Sequence, residues 1–400
     1  MSNLKENYLN FFVFFYLFAY ISGPAIINIY VTLTSIVCLF FIIKNRRKLY
    51  NYFHFDSSSL ILLTFFFYIF FLGLFKNNFN YEIISFFRFI VIFIFISSYS
   101  YKIQNNLDIK IIFIFFIIVI SLDSIFQFYF GENIIGYKIF DNYRLTSFFN
   151  DEPIVGSFLL KLTVPTLAIF LLDKNKRLFY LVIILISSFV IVVSGERMPI
   201  LQYLISIFFM IFFLKEKKLS ITTLFLTLMI IFYVVLSNNI LSDRYKSTIS
   251  SINNILFNNN FNNQFENVSV NHYLLNFKSG LNIWSNSKIF GNGYRYYNKN
   301  CHKYYNEYLI EGCSTHPHNI YIELLSDYGL IGLSIFSLFI FSLLFQFFKI
   351  NFNKNTVGLG FVFIAISFPL ATSQSIFSSY YGSIYFFIIF LLKFYCLEKK

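Results

Sequence analysis

Residues 174–218 read KNKRLFYLVIILISSFVIVVSGERMPILQYLISIFFMIFFLKEKK. Two apolar runs, 178–193 and 198–214, flank a short polar turn, Ser194-Gly-Glu-Arg-Met-Pro199. Basic clusters close both far ends, Lys174, Lys176 and Arg177 before and Lys215, Lys217 and Lys218 after. In hydrocarbon every backbone N–H and C=O must be satisfied within its own segment, which a helix achieves. Lys and Arg collect on the cytoplasmic side of such segments. The stretch therefore predicts a membrane-embedded helical hairpin whose turn faces away from the cytoplasm. Pro199 suits the first turn of the second helix, where its missing N–H costs nothing.

The same pattern extends over the whole chain. Of 400 residues 57% are hydrophobic, 23% aromatic and only 12% charged. Soluble domains carry roughly 25% charged residues, so a soluble, disordered or fibrous protein is excluded. Further apolar runs lie near 9–22, 25–43, 58–75, 82–101, 111–130, 154–172, 219–237, 319–347, 357–373 and 377–395. With the N-terminus inside, sixteen basic residues fall in inner segments: Lys44, Arg46, Arg47, Lys48, Lys102, Lys110, Lys174, Lys176, Arg177, Lys215, Lys217, Lys218, Lys349, Lys354, Lys399 and Lys400. The short outer segments hold four, Lys76, Lys138, Arg144 and Arg197. The net charge of +12 thus reflects membrane topology and not a nucleic-acid partner. The expected fold is an all-α polytopic membrane protein of about 12 transmembrane helices with both termini cytoplasmic. Its expected organisation is helices one to nine in 1–237, a large extracytoplasmic loop in 238–318, and three more helices in 319–400. No cleavable signal peptide is apparent, since the first run lacks a small-residue cleavage site.

Three ionisable residues, Arg88, Asp123 and Lys161, fall inside apolar runs. Such groups are costly in a membrane and face a cavity or one another. Counted at 1.5 Å per residue, all three lie about 9–12 Å below the outer surface. They are expected to line one outward-opening polar cavity, to pair as Asp123–Lys161 or Asp123–Arg88, or both.

The outer segments carry the chemistry. Arg197 is pinned at the membrane surface in the hairpin turn, and a guanidinium holds phosphate through two parallel hydrogen bonds. Its bland alternative is an interfacial anchor. Phe290-Gly-Asn-Gly-Tyr-Arg295 permits close backbone approach. Cys313-Ser-Thr-His-Pro-His318 leads into the tenth run, with Thr315 as the expected N-cap and His316 and Pro317 in the first helical turn. A helix start attracts anions and favours the neutral form of a histidine. A neutral His316 or His318 beside a hydroxyl is a general base worth about 10²–10⁴-fold; the alternative is a satisfied interfacial pair. Cys301 and Cys313, in an oxidising compartment, are expected either to bridge or to remain free thiols. A zinc site from Cys301, His302, Cys313 and His316 matches no standard ligand spacing, so no metal is expected.

Taken together these segments resemble the O-antigen ligase / O-antigen polymerase superfamily of bacterial inner-membrane proteins. The resemblance rests on Ser194-Gly-Glu-Arg197, on His272-Tyr-Leu-Leu with Ile289-Phe-Gly-Asn-Gly-Tyr-Arg295, and on His316-Pro-His318-Asn319 followed by Gly329-Leu-Ile-Gly332. The motifs span residues 144–332. The resemblance implies a periplasmic glycosyltransferase that moves a glycan from undecaprenyl diphosphate to an acceptor, either lipid A–core or a second lipid-linked repeat, without a cofactor. It implies Arg197 on the diphosphate, with Lys161 and Arg88 beneath it, and His318 near the acceptor hydroxyl. Family members often carry a second loop Arg near position 272–273. This chain has His272-Tyr273 there, so that role falls to His272 or to Arg295.

Two rival readings suit parts of the sequence. Twelve spans with intramembrane charges also fit a transporter or flippase of lipid-linked sugars, but such proteins often show internal repeats and midplane sites, and neither is visible here. A scaffold binding a partner through 238–318 leaves Arg197 and the His-Pro-His segment unexplained.

Overall fold

The computed structural model describes residues 2–44, 56–76, 82–99, 109–141, 143–172, 177–246, 268–304, 313–349 and 354–397. Every apolar run of the sequence is occupied by a helix: α1 (Ser2–Ile21), α2 (Pro24–Lys44), α3 (Ser57–Phe75), α4 (Glu82–Tyr99), α5 (Ile109–Phe130), α6 (Val155–Leu172), α7 (Arg177–Val193), α8 (Arg197–Phe213) and α9 (Lys217–Ser237). After α10 (Val268–Asn286) and the short α11 (Tyr296–Asn300) come α12 (Ile320–Lys349), α13 (Lys354–Ile366) and α14 (Tyr381–Leu397). Among the described residues six helices, α2, α3, α5, α6, α9 and α12, are long and apolar enough to cross a membrane. The only β pairing among those residues is two isolated bridges, Glu132 with Lys138 and Phe140 with Arg144.

The helices sort by what they touch. On α2 the residues Ile26, Ile29, Leu33, Ile36, Phe40 and Ile43 are exposed. Their spacing of three and four residues makes one apolar stripe, as expected of a face turned to lipid. The helix α6 is the opposite case, buried along nearly its whole length and packed by α5, α7, α8 and α13. Its closest approach is to α13, where a Cβ on Gly358 would come 2.3 Å from Pro165 Cα. A second contact group joins α3, α4, α12 and α14.

Two boundaries differ from the sequence reading. The run 357–373 is helical only to Ile366, and the run from 377 becomes helical only at Tyr381. Pro369 has no N–H to continue a helix and disfavours helical geometry at Phe368. The polar residues after it turn inward instead, and Ser378 Oγ accepts from the Tyr381 amide at 3.0 Å to start α14. Residues 367–380 thereby become a buttress for the histidine segment. The stretch 238–318 is not loop alone either, since α10 runs along α12. Its Asn-rich portion, Asn253–Gln264, lies outside the described residues.

The Gly-X-Gly element does what its composition allows. Gly329 breaks α12 at φ 64°, ψ −166°, a region open essentially only to glycine. The freed backbone pairs with the 288–293 turn. Asn292 N and Gly293 N donate to Asp327 O at 2.9 and 2.8 Å, while Leu330 N and Ile331 N donate to Lys288 O and Ile289 O at 2.9 and 3.1 Å. A Cβ on Gly329 would stand 2.5 Å from Gly291 N and from Ile289 O. Gly329→Ala is therefore expected to destabilise the protein by about 2–4 kcal/mol through strain and backbone overlap. The thermal midpoint of the detergent-purified protein should fall by several degrees, and an unchanged midpoint would refute this reading of the break.

Candidate active site

The hairpin turn between α7 and α8 is held in a polar cradle. Gly195 has φ 74°, and a Cβ there would meet Tyr143 O at 2.7 Å, so the backbone at Tyr143, in the segment between α5 and α6, lies directly against the turn. That segment is tied down from α5. Gln127 Oε1 accepts from Thr146 N and Ser147 N at 2.9 and 2.8 Å, and Asp123 accepts from Ser147 Oγ at 2.5 Å, Ile134 N at 3.1 Å and Asn133 Nδ2 at 3.3 Å. Asp123 thus pairs with neither Lys161 nor Arg88. The physical reason is local: it lies two turns below the outer end of α5, where the following loop folds back and offers three donors.

The three intramembrane charges do not share one cavity. Lys161 donates to Ser157 O and Oγ at 2.8 and 2.7 Å and lies 5.7 Å from the Tyr381 ring centre. Arg88 belongs elsewhere, bound to Ser85 O, Thr32 Oγ1 and Asn28 Oδ1 at 2.8, 2.6 and 2.9 Å.

Around the turn the structure collects cations. Arg197, the first residue of α8, is partly buried and stands in the electrostatic field of Arg244, Tyr273, Tyr143 and Arg144. Arg244 Nε donates to Gly195 O at 2.9 Å, and its guanidinium lies 4.3 Å from the Tyr143 ring centre. Arg144 Nη2 donates to Pro153 O at 3.2 Å. Sequence reasoning missed Arg244. Its signal was available, a cation seven residues beyond α9 in the polar stretch that follows the last apolar run of the hairpin region.

Glu196 lies at the foot of this cluster, accepting from the amides of Gly156 and Ser157 at 2.6 and 3.4 Å at the start of α6. Burial pushes its carboxyl up to about 7, against the pull of Arg144, the two amides and Lys161. The carboxyl is protonated in larger part below that value and ionised above it. Rising pH thus places a negative charge beside the arginines, which weakens their hold on an anion. Inhibitory binding of pyrophosphate is expected to weaken by a few-fold from pH 6 to pH 8. Glu196→Gln should flatten that slope, and an equal slope in the variant would exclude Glu196 as its source.

The histidines stand differently from the sequence expectation. The helix starts at Ile320 and Asn319 is its N-cap, its Oδ1 accepting from the amides of Tyr321 and Ile322 at 2.9 and 3.1 Å. Thr315 is not the cap; its Oγ1 is 3.0 Å from His316 Nδ1. Both histidines therefore belong to the lead-in segment, because Asn fits the cap geometry three residues after His316. Their ring centres are 4.2 Å apart. His318 has φ 55°, an uncommon conformation for a residue with a Cβ, and its carbonyl accepts from Ser373 N at 2.8 Å. Burial, then His318 and the charge of Arg295, push the His316 imidazole down to about 3, so it is uncharged at neutral pH. Its Nε2 is buried without a hydrogen bond.

Tyr273 on α10 joins the two halves. Its ring lies 5.1 Å from that of His318, and its hydroxyl acts electrostatically on Arg197. Arg295 bonds Glu82 Oε2 at 3.0 Å and lines a cavity with Arg88. The side chain of His272 lies outside the described residues. Cys301 and Cys313 are joined by a disulfide in the segment leading to the histidines, so neither sulfur is a free thiolate for a metal.

An arginine cluster can hold an anionic leaving group, and an uncharged imidazole can accept a proton from an attacking hydroxyl. Residues 181–337 match the family model described as O-Antigen ligase. The resemblance to the O-antigen ligase / O-antigen polymerase superfamily holds over this segment, which runs from α7 into α12 and carries Arg197, Arg244, Tyr273, Arg295, His316 and His318. The match implies glycosyltransferase-like ligase or polymerase activity on lipid-linked glycans in a membrane. No curated protein matches the chain.

Proposed function

We propose that this protein transfers a glycan from undecaprenyl diphosphate to an acceptor hydroxyl at the outer face of a bacterial inner membrane. In this reading the chain crosses the membrane twelve times with both termini cytoplasmic. The observation that carries it is Tyr273, whose ring lies 5.1 Å from that of His318 and whose hydroxyl acts electrostatically on Arg197.

Arg197, Arg244 and Arg144 meet the diphosphate at headgroup depth, with Lys161 below them. The acceptor O–H gives its proton to an imidazole of the His316–His318 pair as its oxygen bonds the anomeric carbon. The bond from that carbon to the phosphate oxygen breaks, and the diphosphate departs with the electron pair and its charge met by guanidinium groups. Arginines supply the charge stabilisation that a divalent ion provides in other transferases, so the reaction is metal-independent. Direct attack inverts the anomeric centre.

The test is transfer by the purified protein in proteoliposomes holding a diphosphate-linked glycan and either lipid A–core or a second lipid-linked repeat. Glycan joined to one acceptor, in the presence of a chelator, is the expected result and also separates ligase from polymerase. Passage of the intact lipid-linked sugar between leaflets, with no transfer, would establish the transporter reading instead.

A further inference from the structure

Between α13 and α14 the chain reads Ser367-Phe-Pro-Leu-Ala-Thr-Ser-Gln-Ser-Ile-Phe-Ser-Ser-Tyr380, a polar stretch that touches the histidines and belongs to neither helix. We propose that Glu323 is a positioning residue for the histidine pair: through Ser375 it anchors this stretch, which in turn fixes the backbone of His318. This rests on the transferase reading above and adds a residue to the part of the site that takes the proton.

Glu323 lies one turn into α12, its amide donating to Asn319 O at 2.9 Å, and it is only 4% exposed. A carboxyl group buried this far is costly unless donors meet it. Ser375 Oγ donates to Glu323 Oε1, and the Ile376 amide donates to the same carboxyl group. Ser375 Oγ accepts in turn from Phe377 N at 3.2 Å. One side chain of α12 thus holds residues 375 to 377. Two residues at the start of α12 hold the other end of the stretch. Asn319 Nδ2 donates to Pro369 O and Ala371 O at 2.7 and 3.3 Å, and the Tyr321 hydroxyl donates to Ser367 O at 2.5 Å.

Ser373 lies between these two attachments. Its N–H donates to His318 O at 2.8 Å, and its backbone also meets the His316 ring. The residue that touches both histidines is therefore pinned two positions before, at Ala371, and two positions after, at Ser375. Such pinning has a purpose at His318, whose φ of 55° is a conformation that persists only where the surroundings over-determine it. Asn319 shares this task with capping the helix. The bonds of Glu323 to Ser375 and Ile376 serve the stretch itself, so Glu323 can be changed while the cap is left in place.

Two measurements on the full-length protein in proteoliposomes test this. Glu323→Met is close in size and has no acceptor oxygen. It should lower kcat by about 10–10²-fold, the scale of a reacting group displaced by about 1 Å, and leave the donor KM within about twofold. Glu323→Gln keeps an acceptor for Ser375 and should retain most of the wild-type rate. Ser375→Ala cuts the same link from the other side, with a smaller loss of kcat, and serves if Glu323→Met does not fold. A wild-type kcat in Ser375→Ala, or Glu323→Gln as slow as Glu323→Met, would overturn the proposal. The second measurement needs no turnover. Diethyl pyrocarbonate modifies accessible histidines, and mass spectrometry compares His316 and His318, both partly buried, with the exposed His302. Relative to His302, the pair should react severalfold faster in Glu323→Met and Ser375→Ala and at the wild-type rate in Glu323→Gln. Equal reactivity in all three variants would overturn the proposal. Faster modification in Glu323→Met and Ser375→Ala, in a protein that transfers nothing, would keep the positioning role and defeat the transferase reading.

Discussion

Arg197→Ala, present in membranes at the wild-type level, is expected to lose glycan transfer by about 10²–10³-fold. The size follows from where the side chain stands. Arg197 is partly buried, in the electrostatic field of Arg244, Arg144, Tyr273 and Tyr143, so the site excludes much of the water that would screen it. Its five N–H groups can grip two phosphate oxygens at once, and the negative charge on those oxygens grows as the bond to the sugar breaks. The loss should therefore fall on kcat as well as on the donor KM. Arg197→Lys keeps the charge and loses the fork, so it should recover only part of the rate. Arg244→Ala should cost less than Arg197→Ala, because Arg244 already gives one N–H to Gly195 O. Full activity in Arg197→Ala, with the protein folded, would remove this residue from the mechanism.

Much of the fold was legible because a membrane imposes one-dimensional rules. A run such as 178–193 is apolar over the length of a helix and admits no other backbone solution, and α7 occupies it within a residue at its start. The close approach at the Gly291–Gly293 turn was legible from its glycines, whereas the break at Gly329 was not, since 319–347 reads as one continuous apolar run. The boundary at Ile366 was not, because Phe368 and Leu370 keep the stretch apolar through Pro369, and only the hydrogen bonds of the following residues reveal that it has left the helix.

The site was legible in its residue types but not in its partnerships. Arg197, His316 and His318 were found as polar groups placed where membrane chains rarely keep them. Depth alone then grouped Arg88, Asp123 and Lys161, since position along a helix says how deep a side chain lies and nothing of which neighbour it faces. The structure separates them. Asp123 secures the outer segment, Lys161 attends Glu196 near the arginine cluster, and Arg88 faces the cavity with Arg295. Tyr273 was visible only as the residue where a family arginine was expected, and its place beside His318 depends on how α10 lies along α12, which no spacing encodes.

His318→Asn is the second substitution expected to act strongly, lowering kcat by about 10²–10⁴-fold. Asparagine is chosen because the backbone at His318 has φ 55°, a conformation that Asn tolerates better than Ala. A loss of rate then reports the missing imidazole and not a strained turn. The carbonyl that accepts from Ser373 N is retained in the variant, so the buttress against 367–380 stays in place. If the ring takes the acceptor's proton, kcat in His318→Asn should regain rate with added imidazole, while the donor KM should move little because the arginine cluster is intact. His316 gives the internal control. It is uncharged at neutral pH, with an Nε2 that has no hydrogen bond, and its ring lies against that of His318. Were His316 the base, His316→Gln would show the larger loss and the imidazole rescue. A full rate in both variants would leave the arginines as a phosphate-binding site without a general base beside it, and the transfer chemistry assigned to this segment would have to be abandoned.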